Sequence, residues 1–153
     1  MTKSFQIDGT DKKIIRILSE NARTPFLEIA RQCGMSGAAI HQRVSRLENA
    51  GIISGTAVTL SPKKMGYSTC AFIGVFLEKA RMYEQAIKEL EKIPEVVECH
   101  YTTGNYAIFL KIFAKNNQDL MEVLYHQIQK IPGVSSTETF ISLEQGISRE
   151  LLP

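Results

Sequence analysis

The junction Lys92-Ile93-Pro94-Glu95-Val96 recurs as Lys130-Ile131-Pro132-Gly133-Val134. In both copies a stretch with helical apolar spacing runs up to the proline and a β-rich run leaves it. The first stretch, Met82 to Lys92, places Tyr83, Ala86, Ile87 and Leu90 on one face; the second places Leu120, Val123, Leu124 and Ile128 there. Proline removes a backbone donor and disfavours helix in the residue before it, so each helix stops at its Ile-Pro pair. Strands are expected over 68–77, 96–103, 106–114 and 134–143, with Gly104-Asn105 turning between the second and third. The order βαββαβ, repeated in this way, specifies a ferredoxin-like sandwich: a four-stranded antiparallel sheet with both helices on one face. The run Cys70 to Leu77 is apolar on both sides. The sheet face without helices therefore needs a cover, and a second copy of the chain is the simplest one.

The first half reads as three helices. Asp8 caps a helix with the stripe Ile14, Ile15, Ile17 and Leu18. A second helix opens at Thr24-Pro25, with Thr as cap and Pro in the first turn, and stops at Cys33-Gly34. Ser36 caps a third helix to about Ala50, with Ile40, Val44 and Leu47 inward. Small Ala30, Gly34 in the turn, Met35 as an apolar plug and an immediate cap at Ser36 are the choices a helix-turn-helix requires. A plain three-helix corner is the alternative.

What favours nucleic acid is the exposed face of the third helix. Ser36, Gly37 and Ala38 at the helix start let the backbone come close, His41 and Gln42, with Ser45 on the same face, can hydrogen-bond base edges through their own side chains, and Arg43 and Arg46 can reach phosphates. No acidic residue occurs from Ser36 through Leu47. Charge agrees: residues 1–66 hold ten Lys/Arg against five Asp/Glu, a balance of +5, and residues 67–153 hold eight against eleven, −3, which together give the net +2. A basic front half suits double-stranded DNA. Ile52 to Val58 alternates loosely around Gly55 and is expected to form a wing ribbon. The fold class is thus α+β: a winged helix-turn-helix over 1–60, a linker at 61–67, and a ferredoxin-like oligomerisation domain over 68–153, to which the resemblance described below adds effector binding.

Other classes find little support. No apolar run reaches the roughly 20 residues of a membrane span, and the polar N-terminus lacks a signal core, so the expected location is cytoplasmic. Cys33, Cys70 and Cys99 include no CxxC pair and are expected to be buried structural thiols, with no metal and no bound cofactor. No nucleophile-base set, paired carboxylates or phosphate loop marks an enzyme.

These residues carry a resemblance. Asp11 with Ile14-Ile15, Asn21-Ala22-Arg23-Thr24, Glu28-Ile29-Ala30, Gly34-Met35-Ser36, Arg43-Val44, Leu47-Glu48, Gly51-Ile52-Ile53 and Tyr101-Thr102-Thr103-Gly104-Asn105-Tyr106 resemble, in order and end to end, the Lrp/AsnC (feast/famine) transcriptional regulators. Ile40-His41-Gln42-Arg43-Val44 and Ser136-Thr137-Glu138-Thr139 are most similar to the asparagine-responsive branch. The resemblance implies a homodimer that assembles further, often to an octamer, with an amino-acid effector between dimers. One departure is Ala107, where many members carry an acid; a ligand scheme built on that carboxylate does not carry over.

The expected effector segments are Tyr101, Thr102, Thr103, Gly104, Asn105 and Tyr106 in the turn, and Ser136, Thr137 and Thr139 in the last strand. Hydroxyls and open backbone N–H groups suit a carboxylate, and a lining without fixed charge suits a polar amino acid such as asparagine. Taken alone, these residues also fit an ordinary hairpin turn and a polar strand face. A ligand-independent protein that wraps DNA is the alternative function. The sequence leaves the operator and the target genes open.

Overall fold

The computed structural model describes residues 5–153, which group into two compact units, 5–59 with 147–153 and 60–146.

In the first unit, α1 is Gly9–Glu20, α2 Phe26–Cys33 and α3 Gly37–Asn49. A capping box starts α1: the Asp8 carboxylate accepts from the Asp11 N–H at 2.8 Å, and the Asp11 carboxylate accepts from the Asp8 N–H at 3.2 Å. The cap of α2 is Pro25 rather than the expected Thr24. Pro25 is extended (ψ 141°), and its carbonyl accepts from Glu28 and Ile29. The Thr24 hydroxyl instead donates to the Asn21 carbonyl at 2.8 Å, which ties off the preceding turn. Gly34 is left-handed (φ 65°, ψ 36°), and Met35 N–H closes back on Ala30 C=O at 3.0 Å. Any residue with a Cβ would be strained there by about 1–2 kcal/mol. Ser36 Oγ then accepts from Ala39 N–H at 3.2 Å and starts α3. Ile14, Ile29, Ala30, Ile40 and Val44 form the core between the three helices, with Ile17, Leu18, Phe26, Cys33, Met35 and Ile53 around it.

The strand ribbon expected over Ile52 to Val58 does not form. Ile52 and Ile53 bond back to Leu47 C=O, and residues 54–60 form no strand ladder among the described residues. A ribbon needs a second strand, and none among the described residues takes up these N–H and C=O groups.

The second unit carries β1 Thr69–Leu77, α4 Tyr83–Leu90, β2 Val96–Tyr101, β3 Ile108–Ala114, α5 Asn117–Glu122 and β4 Val134–Ile141. The helical path of α5 continues through a π-turn at Val123–Gln127 and a 3-10 turn at Ile128–Lys130. The sheet order is β2-β3-β1-β4, antiparallel throughout, as the βαββαβ pattern requires. Paired residues share a face. Ala71, Ile73 and Val75 of β1 and Ile108, Leu110, Ile112 and Ala114 of β3 pack with Ala86, Leu90, Leu120, Val123 and Ile128 from the helices. Each of these isoleucines and leucines contributes about 1.5–3 kcal/mol by leaving water. The other face holds aromatic rings: Phe72 stacks on Phe109 (5.9 Å), and Tyr106 contacts Phe76 (5.1 Å), Phe109 (5.9 Å) and Phe140 (6.3 Å).

Of the three thiols, Cys33 and Cys70 are half-buried and Cys99 is exposed, so the expectation of three buried cysteines is not met, least of all at Cys99 on the edge strand β2. Burial raises the pKa of Cys70 and Cys99. Cys99, although exposed as a residue, lines an open groove of about 280 Å³ with Tyr83, Ile87 and Glu91, whose surfaces partly desolvate its thiol.

The candidate DNA-reading face and effector segments

Helix α3 buries Ile40, Val44 and Leu47, which turns Ser36, Ala38, His41, Gln42 and Arg46 outward, with Gly37, Arg43 and Ser45 half-buried at the flanks. Gly37 stays small for a reason: a Cβ there would come within 3.1 Å of Leu27. His41 stands edge-on to Phe26 at 5.7 Å and is steadied by α2. Met35, Ala39, Gln42, Arg43 and Arg46 line an open concavity of about 300 Å³.

The two arginines are not free. Arg43 Nη1 donates to Asp8 Oδ2 at 2.7 Å and to Asp11 Oδ1 at 2.8 Å; Arg46 Nη2 donates to Asp11 Oδ2 at 2.8 Å. Arg46 also lies over the Phe5 ring at 5.2 Å. Helix α3 has no acid of its own over this stretch, and α1 supplies two. Asp11 is wholly buried. The Arg43 hydrogen bond holds the Asp8 carboxyl below its ordinary pKa, and Asp8, then Asp11, raise that of Arg43.

The segments expected to hold the effector lie at one end of the sheet. The turn after β2 is closed by Thr102 N–H to Ala107 C=O (3.1 Å) and by the Thr102 hydroxyl, which donates to Tyr106 C=O. Ala107 N–H donates to Val75 C=O at 3.0 Å, and Val75 pairs with Thr137. One strand, β1, therefore separates the turn from β4. The segments divide between faces, however. Tyr101 packs against Tyr83 of α4 at 4.4 Å, and Thr137 accepts from Gln129 Nε2 at 2.9 Å; Thr139, opposite Ile73, also lies on the helix side. Ser136, opposite Phe76, and Tyr106 lie on the aromatic side. Thr103, Gly104 and Asn105 are exposed at the tip. Ala107 packs against the core, so the small side chain at that position fills space next to the sheet.

The profile of the Lrp/AsnC ligand binding domain matches residues 70–152, and that of a winged helix-turn-helix DNA-binding domain matches residues 7–54. The regulatory protein AsnC of Haemophilus influenzae is 47% identical, over 96% of this chain and 98% of its own. The chain belongs to the Lrp/AsnC family of transcriptional regulators. The solved structure of Escherichia coli AsnC superposes with a TM-score of 0.93 at 42% identity, covering 97% of this chain and all of the other. A transcriptional regulator from Neisseria meningitidis, solved in complex with L-Met, gives 0.90 at 28% identity over 97% of both chains.

In this Lrp/AsnC chain, two side chains beside the expected residues passed unread as site groups. Asp11 binds both arginines of α3. Glu138 accepts from the Tyr106 hydroxyl at 2.6 Å, which raises the tyrosine pKa. The spacing Asp8-x-x-Asp11 was a visible signal of the capping box. Glu138 left none, because its partner is two strands away.

Proposed function

We propose that this chain is a sequence-specific DNA-binding transcriptional regulator whose assembly or DNA affinity responds to a small polar amino acid, asparagine first. The observation that carries the reading is the joining of an outward α3 bearing Gln42 to a domain of the Lrp/AsnC ligand-binding kind. The reader residues are Ser36, Gly37, Ala38, His41, Gln42, Arg43, Ser45 and Arg46. The effector residues are Tyr101 to Tyr106, Ser136, Thr137 and Thr139. A neutral amide needs a donor and an acceptor, and hydroxyls supply both; a leucine side chain there would leave polar groups unpaired, at about 1–3 kcal/mol each when buried. Because these residues divide between the two faces, the effector site is completed by another copy. The chain works as a homodimer that assembles further, to an octamer, and acts on DNA in the cytoplasm without catalysis or a cofactor.

The neisserial relative holds methionine, so side-chain preference is the point to test. Thermal unfolding with asparagine, glutamine, methionine and leucine ranks affinity, because a ligand of the native state raises the midpoint by mass action. Asparagine should raise it most, and Thr103→Val or Thr137→Val should reduce the shift. A larger rise with leucine or methionine overturns the polar pocket. No response to any amino acid, with salt-sensitive and sequence-tolerant DNA binding, favours the ligand-independent wrapping protein.

A further inference from the structure

We propose that Asp11 is a positioning residue for DNA binding: its buried carboxylate sets the guanidiniums of Arg43 and Arg46 in the orientation in which they meet the DNA backbone. The proposal rests on the DNA-reading role of α3 given above.

One carboxylate holds three donors. Asp11 Oδ1 accepts from Arg43 Nη1 at 2.8 Å, and Oδ2 accepts from Arg46 Nη2 at 2.8 Å and from the Asp8 N–H at 3.2 Å. The residue is 0% exposed and lies in the first turn of α1, fixed by its capping box. Burying a carboxylate is costly unless partners such as these satisfy it. Arg43 and Arg46 are three residues apart on α3, so they project from one face, and both line the concavity with Gln42. A guanidinium carries five N–H donors. Arg43 gives two to the acids and Arg46 one, which leaves three and four for a ligand. Arg46 keeps half of its side chain in solvent. Two long side chains that would otherwise sample many rotamers are thus ordered before DNA arrives, and ordering in advance removes that penalty from binding.

The two acids play different parts. Asp8 is half-exposed and, of the two arginines, touches only Arg43, through the oxygen that does not cap α1, so a phosphate can take its place there. Asp11 is closed to solvent and keeps its hold. Together the pair offsets the two guanidinium charges, which weakens the attraction of this face for DNA in general. Charge and position therefore predict opposite results. Neutralising Asp11 makes the face more basic, which by charge alone tightens binding to every duplex. If Asp11 acts by position, binding to the preferred duplex weakens.

The test uses the full chain and a duplex that the wild-type protein selects from a random library, beside a random duplex of equal length. Wild type, Asp11→Asn, Arg43→Ala/Arg46→Ala and the triple variant are titrated at several salt concentrations. Asp11→Asn is expected to bind the selected duplex about tenfold more weakly, the scale of one well-ordered charged contact, and the random duplex no more weakly than wild type. Added to the arginine pair, Asp11→Asn should weaken nothing further. Unchanged or tighter binding of the selected duplex overturns the proposal. So does an equal loss in the arginine-free background, because a brace for α1 would act there too. If Arg43→Ala/Arg46→Ala leaves both affinities unchanged, the DNA-reading role of these arginines fails first and the proposal falls with it. Should Asp11→Asn lose its cooperative melt, Arg46→Lys keeps the charge but gives up the planar fork. It should weaken selected binding and spare random binding, and wild-type behaviour overturns the proposal.

Discussion

The ring of Tyr106 lies flat across Gly74: a Cβ at position 74 would sit within about 2.6 Å of three ring carbons. This absence of a side chain in the middle of β1 lets Tyr106 cross the strand and reach Glu138 on β4. Alanine in place of strand glycine ordinarily stabilises by roughly 0.5–1 kcal/mol. At this position the sign reverses. Gly74→Ala has to push out the whole ring with its hydrogen bond, and the expected loss is about 1–3 kcal/mol, as for other overpacked sites. Urea unfolding of the variant against wild type measures it; a gain in midpoint would show that the ring moves freely.

Acid should weaken the fold through Asp8 and Glu98. The Arg43 hydrogen bond depresses Asp8, and the Lys111 hydrogen bond at 3.0 Å depresses Glu98, with a smaller part from His100. A carboxyl held low in the folded state contributes stability that is complete above its unfolded pKa of roughly 4 and is lost as pH falls through the lower folded value. The urea midpoint of wild type should therefore exceed that of Asp8→Asn/Glu98→Gln by a constant amount above about pH 5, and the two should converge in stronger acid. An advantage that persists unchanged in strong acid would assign it to something other than charge.

Gln42 is exposed on α3, and its side-chain amide has no hydrogen-bond partner among the described residues. Its amide can pair with an adenine edge, so Gln42→Ala should relax preference at one base pair by about 1–3 kcal/mol and leave the salt dependence alone. Selection of binding sites by wild type and variant compares them directly. Identical profiles would remove Gln42 from the reading set.

The aromatic sheet face should be covered in solution. Phe72, Phe76, Phe109 and Phe140 share it with Tyr106, and apolar surface of that kind is favourably buried. The full chain is expected to sediment as a dimer or larger at micromolar concentration, and Phe109→Glu should shift it toward monomer. A soluble wild-type monomer would contradict the proposed assembly.

Local chemistry made much of the fold legible. Gly34 and Ser36 each answer to a backbone need within four residues, and the two Ile-Pro junctions stop helices where they stand. The site was less legible because its decisive contacts are remote in sequence. Arg43 and Asp11 lie 32 positions apart, as do Tyr106 and Glu138. An acid-free α3 suggested arginines open to phosphate, since composition within a helix says nothing of the neighbouring helix. The alternation at Ile52 to Val58 suggested a ribbon, but alternation reports a preference for extended backbone and is silent on whether a partner strand exists.

The register of β4 keeps two kinds of change apart. Ser136, Glu138 and Phe140 stand with the aromatic rings of β1, while Thr137 and Thr139 stand opposite the core residues Val75 and Ile73. Neighbours in sequence thus answer to different surroundings. Drift at odd positions can retune what the helix side of the strand will accept while the even positions go on meeting the demands of the aromatic face. Under the proposed effector site and assembly, single substitutions at the odd positions would let a lineage explore new chemical signals while leaving the aromatic face unchanged.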